Sequence, residues 1–154
     1  MTAQTWLAAP AAAGDLGPIL RLADCAITGT EQSFDYCWFL LVKGMADYRA
    51  GHFENAVERL NQVISLGRET RYSNTRPLSG TAHAYLAMAQ HRLGHDAQAA
   101  QAIKRAKEIM EGPYSKIGWN WNMDNAWHNW ARFYIAFQEA QALVNGQADP
   151  LLRR

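Results

Sequence analysis

Apolar residues recur at helical spacing along most of the chain. Between Leu16 and Thr28 the apolar positions are Ile19, Leu20, Ala23, Ala26 and Ile27, and residues three and four apart lie on one face of an α-helix. The same spacing predicts further helices at about Phe34–Ala50, Phe53–Leu66, Thr81–Leu93, Ala97–Met110 and Asp124–Asn145. Because β-branched residues are scarce, helix is favoured over strand, and the predicted fold class is all-α.

One part of this pattern occurs twice. The stretch Met45–Val63 matches Met88–Ala106, 43 residues later, with six identities in nineteen positions and no gap. In each copy a glycine, Gly51 or Gly94, separates two helical patterns. The sequence therefore predicts two helical hairpins with short turns, joined by a polar stretch rich in turn formers, Gly67–Gly80.

The repeated unit resembles the tetratricopeptide repeat (TPR), in which a small residue lies where two helices cross and a glycine forms the turn. The residues that carry the resemblance are Gly44, Gly51, Phe53 and Ala56 in one unit and Ala87, Gly94 and Ala99 in the other. The resemblance implies that Gly44 crosses Ala56 and that Ala87 crosses Ala99. It also implies a right-handed α-α superhelix.

On this basis residues 1–154 form a single TPR-like domain with five parts. They are a half-repeat at about 5–28, a repeat at about 34–66, a loop at 67–80, a repeat at about 81–111 and a long capping helix at about 124–145. The inserted loop accounts for a period longer than the 34 residues usual for a TPR.

Over Trp6–Gly146 the order of motifs, including "YRAGHFENAVERLNQVI" and "HAYLAMAQHRLGHDAQA", resembles the TPR tail of large bacterial serine/threonine kinase or WD40-type proteins. In such proteins the tail is a non-catalytic scaffold or regulatory module, so the resemblance implies an interaction module rather than an enzyme. A cytoplasmic location is expected because the N-terminal stretch lacks a basic region and Pro10 interrupts its apolar run, unlike a signal peptide. The sequence agrees, since it contains no Gly-rich phosphate loop and no HRD or DFG stretch.

TPR modules usually bind an extended peptide on the concave face formed by the first helix of each hairpin. That face is predicted to comprise Trp38, Leu41, Met45, Tyr48, Arg49, Thr81, Ala84, Met88, His91 and Arg92. Methionines provide an adaptable apolar surface, and arginines donate hydrogen bonds to carboxylates or backbone oxygens. The alternative is that the methionines belong to the core and the arginines are solvated.

Two other groups of residues have open interpretations. Trp119, Trp121, Trp127 and Trp130 could contact a partner or a sugar, or they could cover the apolar end of the repeat array. His91 and His95 have the spacing of a helical metal pair, but Gly94 interrupts the helix between them, so no metal and no cofactor is predicted.

Charge and hydropathy narrow the class of partner. The formal net charge is +1, far from the basic balance of a nucleic-acid-binding surface, and no run of 18 apolar residues predicts a membrane span. The expected partner is a protein or peptide, with neither nucleic acid nor membrane involved. The alternative function is structural: the module docks on its own parent protein or self-associates through the N-terminal half-repeat.

Overall fold

The computed structural model describes residues 15–33, 35–69, 75–112 and 127–146. Within these ranges the chain forms six helices and no strand, which confirms the all-α prediction. We label the helices α1 (Gly17–Ile27), α2 (Tyr36–Arg49), α3 (Phe53–Glu69), α4 (Thr75–Arg92), α5 (Asp96–Met110) and α6 (Trp127–Val144).

The hairpins α2–α3 and α4–α5 turn at glycines. Gly51 and Gly94 have φ angles of +81° and +76°, a region that a residue with a Cβ atom seldom adopts. The amide of the histidine that follows each glycine hydrogen-bonds back to the first helix: His52 to the Asp47 carbonyl, and His95 to the Gln90 carbonyl, both at 2.9 Å. The two turns thus share one geometry.

The predicted loop at residues 67–80 is wrong at both ends. Helix α3 continues to Glu69 and α4 begins at Thr75, so most of this polar stretch is helical. Pro77 did not prevent this, because it lies in the first turn of α4, where a backbone N–H has no helical partner to lose. Of the other predicted parts, residues 5–14, Phe34 and residues 124–126 lie outside the described ranges.

Helix α4 is the centre of the domain. It contacts α2, α3, α5 and α6, and six of its residues are 0% exposed: Ala82, Ala84, Tyr85, Ala87, Met88 and Ala89. Short alanine side chains let neighbouring helices approach closely, while Tyr85 and Met88 fill the remaining space. The arrangement places α2, α4 and α6, the first helices of successive units, side by side.

Two glycines allow close helix contacts. A Cβ atom on Gly44 would lie 2.9 Å from Leu60 Cγ and Cδ2, so the closest neighbour of Gly44 is Leu60 rather than the expected Ala56. A Cβ atom on Gly80 would overlap Cε1 and Cζ of the Phe133 ring. The second contact seats α6 directly on α4.

Helix α1 is joined to α2 by a small charge network. Lys43 Nζ lies 2.8 Å from Asp24 Oδ1 and 3.0 Å from Asp47 Oδ1. Burial lowers the pKa of Lys43, but hydrogen bonds and attraction from the two carboxylates outweigh burial and raise it above the ordinary value. The carboxylate of Asp47 is buried, so Lys43 is its principal source of compensating charge.

Candidate functional site

A small crevice lies between α2, α4 and α6. We call it the α2–α4–α6 crevice and define it by its lining: Trp38, Leu41 and Met45 from α2, Pro77 and Thr81 from α4, and Asn129 and Arg132 from α6. Leu41, Met45, Pro77 and Thr81 are buried and form the floor, whereas the other three are half-buried and form the walls. The volume of the crevice is about 10 Å³, roughly enough for one water molecule, so a partner would lie across it rather than enter it.

Arg132 is the charged group of this crevice. Its Nη1 donates a hydrogen bond to Asn129 Oδ1 at 3.2 Å, one helical turn earlier on α6. Partial burial lowers the pKa of Arg132 from its ordinary value, because desolvation disfavours the charged form. An arginine nevertheless remains protonated at neutral pH, so a positive charge with reduced hydration lines the wall.

The C-terminal halves of the same helices are closed by an ion pair. Arg49 on α2 donates to both carboxylate oxygens of Glu139 on α6, at 2.5 and 2.6 Å, and to the Tyr85 hydroxyl on α4 at 3.0 Å. The guanidinium also lies 5.5 Å from the centre of the Tyr48 ring and 5.3 Å from that of Tyr85. Three helices are therefore joined by one side chain.

Burial shifts the pKa values of the residues in this ion-pair cluster. The side chains of Arg49 and Glu139 are 8% and 13% exposed. Burial lowers the pKa of Arg49, but the hydrogen bonds that Arg49 donates to Glu139 and Tyr85, and the attraction of these groups, outweigh burial and raise the pKa. Burial raises the pKa of Tyr85 and of Tyr48 above the ordinary value of 10.0. The cluster is a fixed, desolvated charge pair enclosed by aromatic rings.

The residues predicted for the partner-binding face do not share one exposed surface in the structure. Six of them are buried: Leu41, Met45, Tyr48, Thr81, Ala84 and Met88. Leu41, Met45 and Thr81 also line the crevice, whereas Ala84 and Met88 lie in the core. The burial of Met45 and Met88 agrees with the alternative that the methionines are core residues. The physical reason is that α6 packs on α4.

The two predicted arginines lie in different surroundings. Arg49 is neither solvated nor available to a ligand, because Glu139 occupies its guanidinium. Arg92 is exposed, and His91 Nδ1 lies 3.1 Å from Asp96 Oδ1. Trp38 remains half-buried at the crevice wall.

Sequence reasoning missed the contribution of α6. Asn129, Arg132 and Glu139 lie three and seven positions apart on a helix otherwise rich in aromatic residues and alanine. Such spacing marks one polar stripe on an apolar helix, and it was a usable signal. It was overlooked because the helix was interpreted only as a cap.

The tryptophan cluster does not act as one unit within the described residues. Trp130 is half-buried and its ring centre lies 6.0 Å from that of Phe133, so it helps to cover the α5 side of the core. Trp127 is 59% exposed, so it does not cover the end of the array as the lid interpretation requires. Trp119 and Trp121 lie outside the described ranges.

Features of metal sites and membrane spans were sought in the described parts of the chain. No three His, Cys, Asp or Glu side chains there are grouped so that they could hold a metal ion. His95 Nδ1 lies 2.7 Å from Gln90 Oε1 instead of joining His91. None of the six helices is both long enough and apolar enough to cross a membrane.

Comparison with protein families gives one match. The family described as anaphase-promoting complex subunit 5 matches residues 18–79 and again residues 73–112, which together span more than half of the chain. The chain belongs to this family. The first match covers α1 to α3 and the second covers α4 and α5, as expected when one family model fits successive hairpins. Curated proteins and solved structures contain no match to the chain.

Family and structure together define the protein as a TPR-like helical repeat protein. The family supports a non-catalytic scaffold role with protein partners. The all-helical structure of the described residues agrees with a helical repeat protein.

Proposed function

We propose that this chain is a non-catalytic interaction module that binds a segment of a partner protein in the α2–α4–α6 crevice. The observation that supports this most strongly is the crevice lining itself: Trp38 and Arg132 face one apolar floor from two different first helices. Tryptophan and arginine are the residues most enriched among energetically dominant interface contacts.

The proposal retains part of the predicted face and replaces the rest. Trp38 and Thr81 stay in the crevice, while Asn129 and Arg132 take the place of the buried Met88 and the paired Arg49. A partner segment would therefore lie over the N-terminal halves of α2, α4 and α6. The closed Arg49–Glu139 end limits how far the segment extends.

Selection from a library of random peptides tests this function. We expect wild-type protein to enrich binders, Trp38→Ala to lose them, and Trp127→Ala to retain them. The Trp127 variant is a matched control because it removes an equally large side chain that is exposed on α6 but does not line the crevice. Retained binding by Trp38→Ala would refute the crevice as the site.

The alternative function is structural, and one observation favours it. Leu22 on α1 is 61% exposed, so its side chain is accessible to the parent protein or to a second copy of the chain. A molar mass measured by light scattering would test self-association. A concentration-dependent rise in mass that Leu22→Gln abolishes would support it, whereas a constant monomer mass would count against it.

The larger protein context is part of the proposal. The family's name refers to a subunit of a multi-subunit complex, and we propose that this chain likewise serves a larger assembly. The resemblance to the TPR tail of bacterial kinase-type proteins is a narrower hypothesis, as is a cytoplasmic location. Detecting the endogenous polypeptide with an antibody would test both, through its mass and its cell fraction.

A further inference from the structure

We propose that α6 acts as a built-in ligand: it occupies the surface formed by α2 and α4, and a partner protein binds that surface with a helix of the same kind when α6 moves away. This inference goes beyond the crevice of the proposed function, since it concerns the surface beneath α6. The partner is an amphipathic helix that presents an aromatic residue, small residues and one carboxylate in the order found on α6.

The first argument is the way in which α6 packs. Helix α6 follows α5 as α4 follows α3, so a regular third unit would place it mainly against α5. Helix α4 packs extensively on α3 and much less on α2, whereas α6 packs extensively on α4 and much less on α5. Helix α6 also reaches α2, through the pair of Glu139 with Arg49. It is therefore shifted from the position of a regular third unit onto the surface shared by α2 and α4.

The second argument is the spacing of the side chains that α6 buries. Phe133, Ala136, Phe137 and Ala140 are buried, and they lie at positions i, i+3, i+4 and i+7. This is the spacing by which an amphipathic helix is recognised in the groove of a partner. The Phe133 ring lies so close to Gly80 that a Cβ atom there would overlap it, so the glycine provides a seat for an aromatic ring.

The third argument is that one ion pair orients α6 on α2. Arg49 donates to both carboxylate oxygens of Glu139, and two parallel hydrogen bonds fix direction as well as distance. Glu139 is the one acidic residue in the sequence of α6. A competing helix therefore needs Asp or Glu at the same place relative to its aromatic residue.

The fourth argument is the extent of the family match. The matched residues 18–79 and 73–112 contain α2 and α4, which form the surface. Helix α6, Trp127–Val144, lies outside both matches. The surface thus belongs to the part of the chain that matches the family, whereas the helix that covers it does not.

Hydrogen exchange of the full wild-type chain is the first test, because a helix that moves away exchanges its amides without unfolding of the hairpins. We expect the amides of Ala136–Ala140 to exchange about tenfold faster than those of Tyr85–Ala89 on α4, or faster still. Equal rates would mean that α6 opens only when the whole domain unfolds, and would overturn the inference.

The second test adds a fluorescent peptide with the sequence of residues 127–146 to the full chain. In wild type the tethered α6 competes at an effective concentration on the order of millimolar, so the peptide should bind weakly. In the Glu139→Gln chain α6 has lost its carboxylate while Arg49 is kept, so the same peptide should bind about tenfold more tightly than to wild type. Glu108→Gln is the matched control chain, because Glu108 is an exposed carboxylate that pairs with Arg105 on α5, and it should bind the peptide as wild type does.

Peptide variants identify the contacts. A Phe133→Ala peptide and a Glu139→Gln peptide should each lose about tenfold in affinity for the Glu139→Gln chain. A Tyr134→Ala peptide should bind unchanged, because Tyr134 is 46% exposed on α6 whereas Phe133 is 0% exposed. Circular dichroism confirms that each chain variant is folded. If the Glu139→Gln chain is unfolded, hydrogen exchange of the wild-type chain decides the inference.

The outcomes separate this inference from the proposed function. Equal peptide affinity of wild type and the folded Glu139→Gln chain, or equal binding of the Phe133→Ala peptide, would overturn the inference. Peptide selection through Trp38 uses the chain with α6 in place, so its failure would refute the crevice and leave this inference standing.

Discussion

The contact between Gly80 and Phe133 makes a sharp prediction about how α6 is held. In an exposed helix, replacing glycine by alanine stabilises by about 1 kcal/mol. At Gly80 the added methyl would overlap Cε1 and Cζ of the Phe133 ring and lie 2.7 Å from Cε2. Phe133 is itself 0% exposed, so the ring has no space to move into and α6 must shift.

We therefore expect Gly80→Ala to destabilise the domain. Overpacking a core costs roughly 1–3 kcal/mol, and the overlap with the Phe133 ring places this substitution at the upper end of that range. Subtracting the gain of about 1 kcal/mol in helix propensity leaves a net loss of about 2 kcal/mol in the free energy of unfolding. For a chain of this size each kcal/mol shifts Tm by about 2–4 °C. The expected result is a Tm lower by about 4–8 °C.

The control is Gly67→Ala. Gly67 is also helical, but a Cβ atom there would lie 4.0 Å from Leu78 Cδ2, an ordinary van der Waals distance. The Tm of Gly67→Ala should equal that of wild type or exceed it slightly. Adding Phe133→Leu to the Gly80→Ala variant should restore part of the lost stability. Equal or higher stability of Gly80→Ala, measured by thermal and urea unfolding, would refute the packing of α6 on α4.

Three further predictions concern the core and its charges. Arg49→Met should lower the free energy of unfolding, measured in urea, by about 3–5 kcal/mol, because it leaves the Glu139 carboxylate buried without a cation. The double variant Arg49→Met/Glu139→Met should lose much less stability. Equal losses in the two variants would contradict a buried ion pair. Ala56→Leu should lower the free energy of unfolding by roughly 1–3 kcal/mol, because Ala56 is 0% exposed and a leucine there would overpack the core. A Tm within a degree or two of wild type would contradict this prediction. Because burial raises the folded-state pKa of Tyr85 above its ordinary 10.0, the folded state retains a proton that the unfolded state loses, so the free energy of unfolding should fall as pH rises above about 10. Tyr85→Phe should flatten that decline, and an unchanged pH profile would count against the assignment.

Much of the architecture was accessible from the sequence. The spacing of apolar residues in α2, α3 and α5 predicted these helices within a few residues, and the internal repeat predicted that they form hairpins with glycine turns. These features are local: helical periodicity depends on residues three and four apart, and a turn with positive φ requires a residue without a Cβ atom. The polar stretch before Gly80 misled the prediction, because tertiary contacts on α4 extended the helix through residues of weak helix propensity.

The binding surface depended on information that periodicity does not contain. An apolar face at Met45 and Met88 indicates that something covers these residues, but the same pattern is expected whether the cover is a partner or another helix of the chain. The packing of α6 on α4, through Phe133 at Gly80, buried Met88 and gave Arg49 its partner Glu139. It also brought Arg132 next to Trp38, 94 residues earlier in the chain. The sequence by itself determined which segments are helical and where they turn, because those preferences are local, whereas only the tertiary structure decided which side chains share a surface, because that depends on contacts between distant helices.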